Sequence, residues 1–161
     1  MSKLILLGGP TGVGKTTVLR LLEHKLTHAA FLDADDVWRV SNELAVETTR
    51  DIALANVITV MRGYFQAGCE LGVLSWVFAR SLLYEPVIAG LEDMVESVEL
   101  IYLVATPEVL ERRLAERGDL HEVGYAVSRL RLIEALPYEK IDTSEMSTDE
   151  VADQLAVRLV T

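Results

Sequence analysis

Little in this chain could staple it, unfold it or anchor it. Cysteine occurs once, at Cys69, so no disulfide can close within the chain. A small buried apolar role suits that residue best. Prolines number four, and neither a Gly/Ser run nor an internal repeat breaks the pattern, so nothing marks a linker. The first apolar run, Leu4-Ile5-Leu6-Leu7, is too short for a secretion signal or a membrane span. The cytoplasm is therefore the expected location, with no membrane partner. Histidine is also sparse: His24, His28 and His121 have no partner spacing, and no zinc, haem or nucleophile–His–acid arrangement is visible. Basic charge is outnumbered, 15 Lys and Arg against 25 Asp and Glu, for a net charge of −10. That balance argues against nucleic acid and anionic membranes as partners. What remains is one domain, residues 1–161, with 50% hydrophobic content and a sizeable core.

One stretch stands out: Gly9-Pro10-Thr11-Gly12-Val13-Gly14-Lys15-Thr16-Thr17. It spells glycine, four residues, then Gly-Lys-Thr, between the apolar run and the amphipathic Val18-Leu19-Arg20-Leu21-Leu22. Glycines let a backbone wrap with its N–H groups inward, a nest for phosphate oxygens. The helix that follows aims its positive end at the same anion. In this Walker A pattern the lysine reaches the β- and γ-phosphates and the hydroxyl of Thr16 ligates Mg²⁺. Without ligand, Lys15 is expected to face solvent. The alternative, a glycine-rich turn with a surface lysine, leaves the strand–loop–helix context unexplained. The reading is a nucleoside triphosphate site that takes ATP and Mg²⁺.

Apolar runs alternate with longer amphipathic stretches, the pattern of a parallel sheet with crossover helices. Strands are predicted at about 3–7, 29–33, 71–77, 98–104 and 138–142. Helices are predicted at about 15–27, 35–44, 46–67, 80–95, 107–117, 122–135 and 148–160. Thr106-Pro107-Glu108 has the cap, first-turn proline and acidic residue of a helix start. Ser147 with Glu150 fits a capping box.

Ligands in such sheets sit beyond the carboxyl ends of the strands. The second strand ends there in Asp33-Ala34-Asp35-Asp36. One carboxylate, Asp33, can hold a water of the Mg²⁺ shell, and a second, Asp35, can accept a proton from an attacking hydroxyl. The competing reading is that Asp35 or Asp36 only caps the next helix. Arg113 and Arg117 share a helix face, and like charges at that spacing cost stability unless an anion lies between them. They are candidates to stabilise a transferring phosphoryl group, with Arg129 as a further one. A solvated basic face remains the alternative. Trp38, Arg39, Arg50, Arg62, Trp76 and Arg80 fall where an acceptor pocket would be built, although both tryptophans also suit a core.

These motifs resemble those of the P-loop small-molecule kinases: shikimate kinase, gluconate kinase, chloramphenicol phosphotransferase and, more distantly, the nucleoside monophosphate kinases. Phe31-Leu32-Asp33-Ala34-Asp35 is similar to the Asp-x-Asp of shikimate kinases. There the first aspartate serves the metal shell and the second contacts the acceptor hydroxyl. Arg113 to Arg117 resemble the start of a lid, here short and spanning about 117–129. In that lid one arginine covers the adenine and the next reaches the phosphates. Ile141-Asp142-Thr143-Ser144 resembles the adenine-side loop, which adds Asp142 and Thr143 to the ATP-binding set. The resemblance implies a three-layer α/β fold, a five-stranded parallel sheet with the phosphate-loop strand in its middle. Two departures stand out. Ser75 occupies the third-strand position where many relatives carry a carboxylate, and no glycine-rich acceptor loop follows that strand. The readings left open are a kinase of a small hydroxyl compound, a nucleotide kinase, and a nucleotide-binding domain with little turnover.

Overall fold

The first apolar run becomes the middle of the molecule. In the computed structural model, which describes residues 2–41 and 43–160, five parallel strands form one sheet. They are β1 (Lys3–Gly8), β2 (Ala29–Asp33), β3 (Leu71–Ser75), β4 (Ser97–Val104) and β5 (Glu139–Asp142). Their order across the sheet is β2-β3-β1-β4-β5, which puts the strand before the phosphate loop at the centre. Alternate residues of β1 feed separate cores. Ile5 and Leu7 pack with α1 (Lys15–Glu23), α4 (Pro107–Glu116) and α6 (Thr148–Val160). Leu4 and Leu6 pack with α2 (Val46–Gln66) and α3 (Ser81–Leu91) on the opposite face. Burial on both faces explains why β1 reads as an unbroken apolar run rather than an alternating one. The remaining helix, α5 (Val123–Glu134), gives Ala126 and Leu130 to the first core and Ile133 to the second.

Both marked helix starts are present. Thr106 accepts a hydrogen bond from the Val109 amide, with Pro107 in the first turn of α4. Before α6, Ser147 and Glu150 exchange bonds: the Ser147 amide donates to Glu150 Oε2 and the Glu150 amide to Ser147 Oγ.

The helix predicted at 35–44 is a correction. Among the described residues of that span only a 3-10 turn, Ala34–Val37, forms, and the chain leaves helical geometry at Trp38 (φ −144°, ψ 40°). The Val37 carbonyl instead finds its partner in the tertiary structure, the Asn56 side chain of α2 donating to it, so it is satisfied without a further helical turn. The same stretch carries Trp38 onto Trp76, ring centroids 6.3 Å apart, at the carboxyl edge of the sheet.

Candidate functional site

The phosphate loop is held by its neighbours and by its own lysine. Gly12 sits at φ +87°, and a Cβ there would come within 2.9 Å of Leu114 on α4, so both backbone and space require glycine. Gly14, at φ +104°, caps α1 with no side-chain bond and no acidic residue in the first turn. The first amides of α1 therefore stay available to an anion.

Lys15 does not face solvent as expected. It is half-buried and folds back so that Nζ donates to the carbonyls of Gly9 (2.7 Å) and Pro10 (3.0 Å). Burial lowers its pKa to about 8, against the opposing pull of Asp33 and Asp35. The loop thus stores its cation against its own carbonyls.

Thr16 and Asp33 meet directly: the Thr16 hydroxyl donates to Asp33 Oδ2 at 2.7 Å. The other oxygen of Asp33 accepts the Asp35 amide at 3.1 Å, so it is Asp33, not Asp35 or Asp36, that caps the turn. This leaves the Asp35 carboxylate for the cavity, where Trp38 Nε1 donates to its Oδ1 at 3.3 Å. Desolvation and then the neighbouring Asp33 charge raise the pKa of Asp35. Two hard oxygen donors beside the loop suit Mg²⁺, which keeps waters and phosphate oxygens in its shell. No larger metal-holding group of His, Cys, Asp or Glu occurs among the described residues.

Ser75 pairs in register with Leu7 on one side and Asp33 on the other. It is fully buried, and its hydroxyl has no hydrogen-bond partner. A buried unpaired hydroxyl costs on the order of 1–3 kcal/mol. Ser75→Ala should therefore stabilise the ligand-free chain by about 1 kcal/mol, read from urea unfolding at constant m-value. A loss of stability would show that this oxygen is satisfied after all.

A cavity of about 680 Å³ opens over the loop, lined by Thr11, Gly12, Gly14, Lys15, Thr16 and Thr17. Asp33, Asp35, Trp38, Trp76 and Arg117 join them around it. Gly9, Pro10 and Val13 lie behind this wall; the first two serve Lys15 through their carbonyls, and Val13 is core. Arg113 is also outside the lining. Its guanidinium donates to Thr143 Oγ1 (3.0 Å), the Thr143 carbonyl (2.7 Å) and the Val13 carbonyl (3.5 Å), tying α4 and the β5–α6 loop to the phosphate loop. Thr143 is buried and donates to the Val104 carbonyl, while Asp142 accepts from the amide and hydroxyl of Ser144. Those Ser144 bonds hold the Asp142 carboxyl below its usual range. Arg117, ion-paired with Asp119 at 3.1 Å, reaches the cavity.

Besides Val77, just past β3, sequence reasoning passed over three lining residues of the lid, His121, Glu122 and Tyr125. Their one signal was position: all follow Arg117 within the stretch read as a lid, where a short 3-10 turn, Leu120–Glu122, runs into α5.

A second cavity, about 560 Å³, adjoins the first through Trp38, Trp76, Val77 and Tyr125. Arg50 and Arg80, two of the residues read as acceptor-side, line it, and so does Arg129, which was read as a candidate for the transferring phosphoryl group. Arg62 does not; it pairs with Asp93 behind α2. Arg39 lines neither cavity.

Against this geometry, the family model described as "AAA domain" matches residues 5–126, well over half of the chain. The chain belongs to this AAA domain family. No curated protein sequence matches it. Three solved structures share the fold of this AAA domain over almost its whole length. A sugar kinase from Janibacter sp. HTCC2649 superposes with TM-score 0.73 at 20% identity, covering 99% of this chain and 95% of the other. The tunicamycin resistance protein of Deinococcus radiodurans gives 0.72 at 21%, covering 99% and 96%. The APS kinase CysC of Mycobacterium tuberculosis, solved with AMPPNP and APS, gives 0.67 at 19%, covering 99% and 98%. At these identities the likeness establishes the three-layer fold. Among the described residues, no helix is long and apolar enough to cross a membrane.

Proposed function

We propose that this AAA domain is an ATP-dependent kinase that phosphorylates a hydroxyl group of a small molecule. The observation that carries the reading is Asp35: a carboxylate relieved of capping by Asp33, in the cavity of the phosphate loop, beside a second cavity. Its raised pKa brings it nearer to the basicity a general base needs. The sugar kinase and the nucleotide-bound APS kinase among the similar structures support both a nucleotide and a small-molecule acceptor.

In this reading the loop amides and Lys15 bind the phosphates, with Thr17 beside them. Thr16 and Asp33 are the residues that would hold the magnesium ion. The ion, when bound, supplies positive charge against the β- and γ-phosphates. The acceptor oxygen forms its bond to the γ-phosphorus, and the bond to the β,γ-bridging oxygen breaks with its electron pair leaving on ADP. The hydroxyl proton passes to Asp35. Arg117 swings from Asp119 to the transferring group. Arg113, bound to Thr143 and the loop, acts as a positioning residue that fixes Asp142 and Thr143 on the adenine side. The stretch 117–129 serves as the lid.

The arginines of the second cavity favour one competing reading, in which the acceptor is itself a phosphate, as in a nucleotide kinase. A panel decides between them: ATP, Mg²⁺ and pooled hydroxyl metabolites or nucleoside monophosphates, with phosphorylated product read by mass. Transfer to hydroxyl compounds is expected. Transfer to nucleoside monophosphates alone would overturn the proposal.

The metal assignment has its own test. Asp33→Asn keeps a capping oxygen but loses the charge, so the Mg²⁺ needed for half-maximal nucleotide binding should rise about tenfold or more, as when outer-shell partners are lost. Fluorescent nucleotide titrations at stepped Mg²⁺ read it, and an unchanged requirement would sink the role.

A further inference from the structure

The second cavity has a chemistry of its own. Five of the nine large apolar side chains that stand exposed among the described residues line it: Val40, Leu44, Val46, Leu82 and Tyr125. Isolated exposed apolar residues need no explanation, but a cluster gathered on one concave wall marks a binding surface. Trp38 and Trp76 close its inner end, where it joins the phosphate-loop cavity.

The same wall is cationic in an acidic protein. Arg50, Arg80 and Arg129 face a single carboxylate, Glu47, whereas the chain as a whole carries −10. Arg50 is already paired with Asp51 at 3.0 Å. Arg129 lies over the Tyr125 ring at 4.3 Å and, among the described residues, donates only to Ser128 at 3.4 Å. Arg80 is exposed and has no ion-pair partner among the described residues. Two guanidinium groups thus lack a carboxylate, on a surface whose lining is mostly apolar.

A purely polar hydroxyl compound would leave Leu82, Val40 and Leu44 against water or against its own hydroxyls. A purely apolar one would bury the guanidinium groups without partners. We propose that the acceptor is an amphipathic anion. It carries an apolar body, large enough for aromatic and aliphatic contacts, an oxyanion for Arg80 and Arg129, and a hydroxyl that reaches past the tryptophans to Asp35. The arginines then hold the acceptor by a group that does not react, and Asp35 keeps its role as base. This assignment rests on the hydroxyl-kinase reading for the hydroxyl alone; the pocket's preference can be tested without turnover.

The test uses a matched pair of fluorescent probes, 8-anilinonaphthalene-1-sulfonate and the uncharged N-phenyl-1-naphthylamine, which differ by the sulfonate. Both are titrated into the full chain with AMPPNP and Mg²⁺ present. The sulfonate should bind at least about tenfold more tightly, the scale of one charge-assisted contact. Arg80→Gln together with Arg129→Gln should remove that advantage, and Leu82→Asn should weaken both probes. Circular dichroism of the variants, all at exposed or half-exposed positions, checks the fold. Equal binding of the two probes, or an advantage that survives the arginine changes, overturns the inference. Phosphate transfer to gluconate with no preference for the sulfonate would keep the kinase reading and discard this one. The sulfonate preference without transfer to any hydroxyl compound would do the reverse.

Discussion

Lys15→Ala is expected to weaken ATP binding on the order of 100-fold, because a charged donor to the β/γ-phosphates contributes up to about 3 kcal/mol. The fold should survive. The mutation removes two bonds to loop carbonyls, but it also removes an ammonium that burial disfavours. Isothermal calorimetry of wild type and variant reads the affinity, and equal affinities would remove Lys15 from the site. The wild type should add a pH signature. With a pKa lowered to about 8 from an ordinary 10.5, the folded chain holds fewer protons than the unfolded one across that window. Ligand-free stability from this group therefore rises with pH between the two values. Phosphates favour the ammonium form, so ATP binding takes up a proton above about pH 8 and weakens as pH climbs further. Lys15→Ala should lose that uptake, measured from binding heats in buffers of different ionisation enthalpy.

The fold was legible in the sequence because β1, β3 and β4 are buried on both faces, and continuous apolar runs are hard to read otherwise. All five strands lie within two residues of the predicted spans. The helix misplaced at 35–44 meets a contact no local pattern carries: Asn56, from the next helix, satisfies the carbonyl of Val37 where the turn ends. The same limit governs the site. Motif spacing brought Thr16 and Asp33 together, and their hydrogen bond is present. It was silent on the direction of Lys15, since the carbonyls that receive Nζ belong to loop geometry rather than to residue type. It could not separate Arg113 from Arg117 either, one turn apart on one helix face. Burial against Thr143 divides them, leaving one as a tie between loops and the other at the cavity. The apolar wall of the second cavity was the least legible feature. Val40, Leu44 and Val46 come from an irregular segment and a helix start, and Leu82 from another helix, so no periodicity links them.

Asp35→Asn is the substitution expected to change turnover most. A hydroxyl acceptor must lose its proton as the new bond to phosphorus forms, and a carboxylate in the same cavity as the phosphate loop can take it. The asparagine keeps an oxygen to accept from Trp38 Nε1, so the tryptophan wall should stay in place while basicity is lost. Turnover should fall by about two to four orders of magnitude, the usual contribution of a general base, with ATP affinity nearly unchanged. The pH profile supplies a second readout. Desolvation and Asp33 raise the pKa of Asp35, so the acidic limb of the rate should be shifted upward from that of an ordinary aspartate. That limb should vanish in the variant. If the acceptor were instead an already ionised phosphate, Asp35 would repel it, and the same change would be mild or would improve acceptor binding. Steady-state kinetics on both proteins, with the acceptor the metabolite panel identifies, separates the two outcomes. Full activity in Asp35→Asn would defeat the hydroxyl-kinase mechanism and leave the arginines of the second cavity as phosphate ligands.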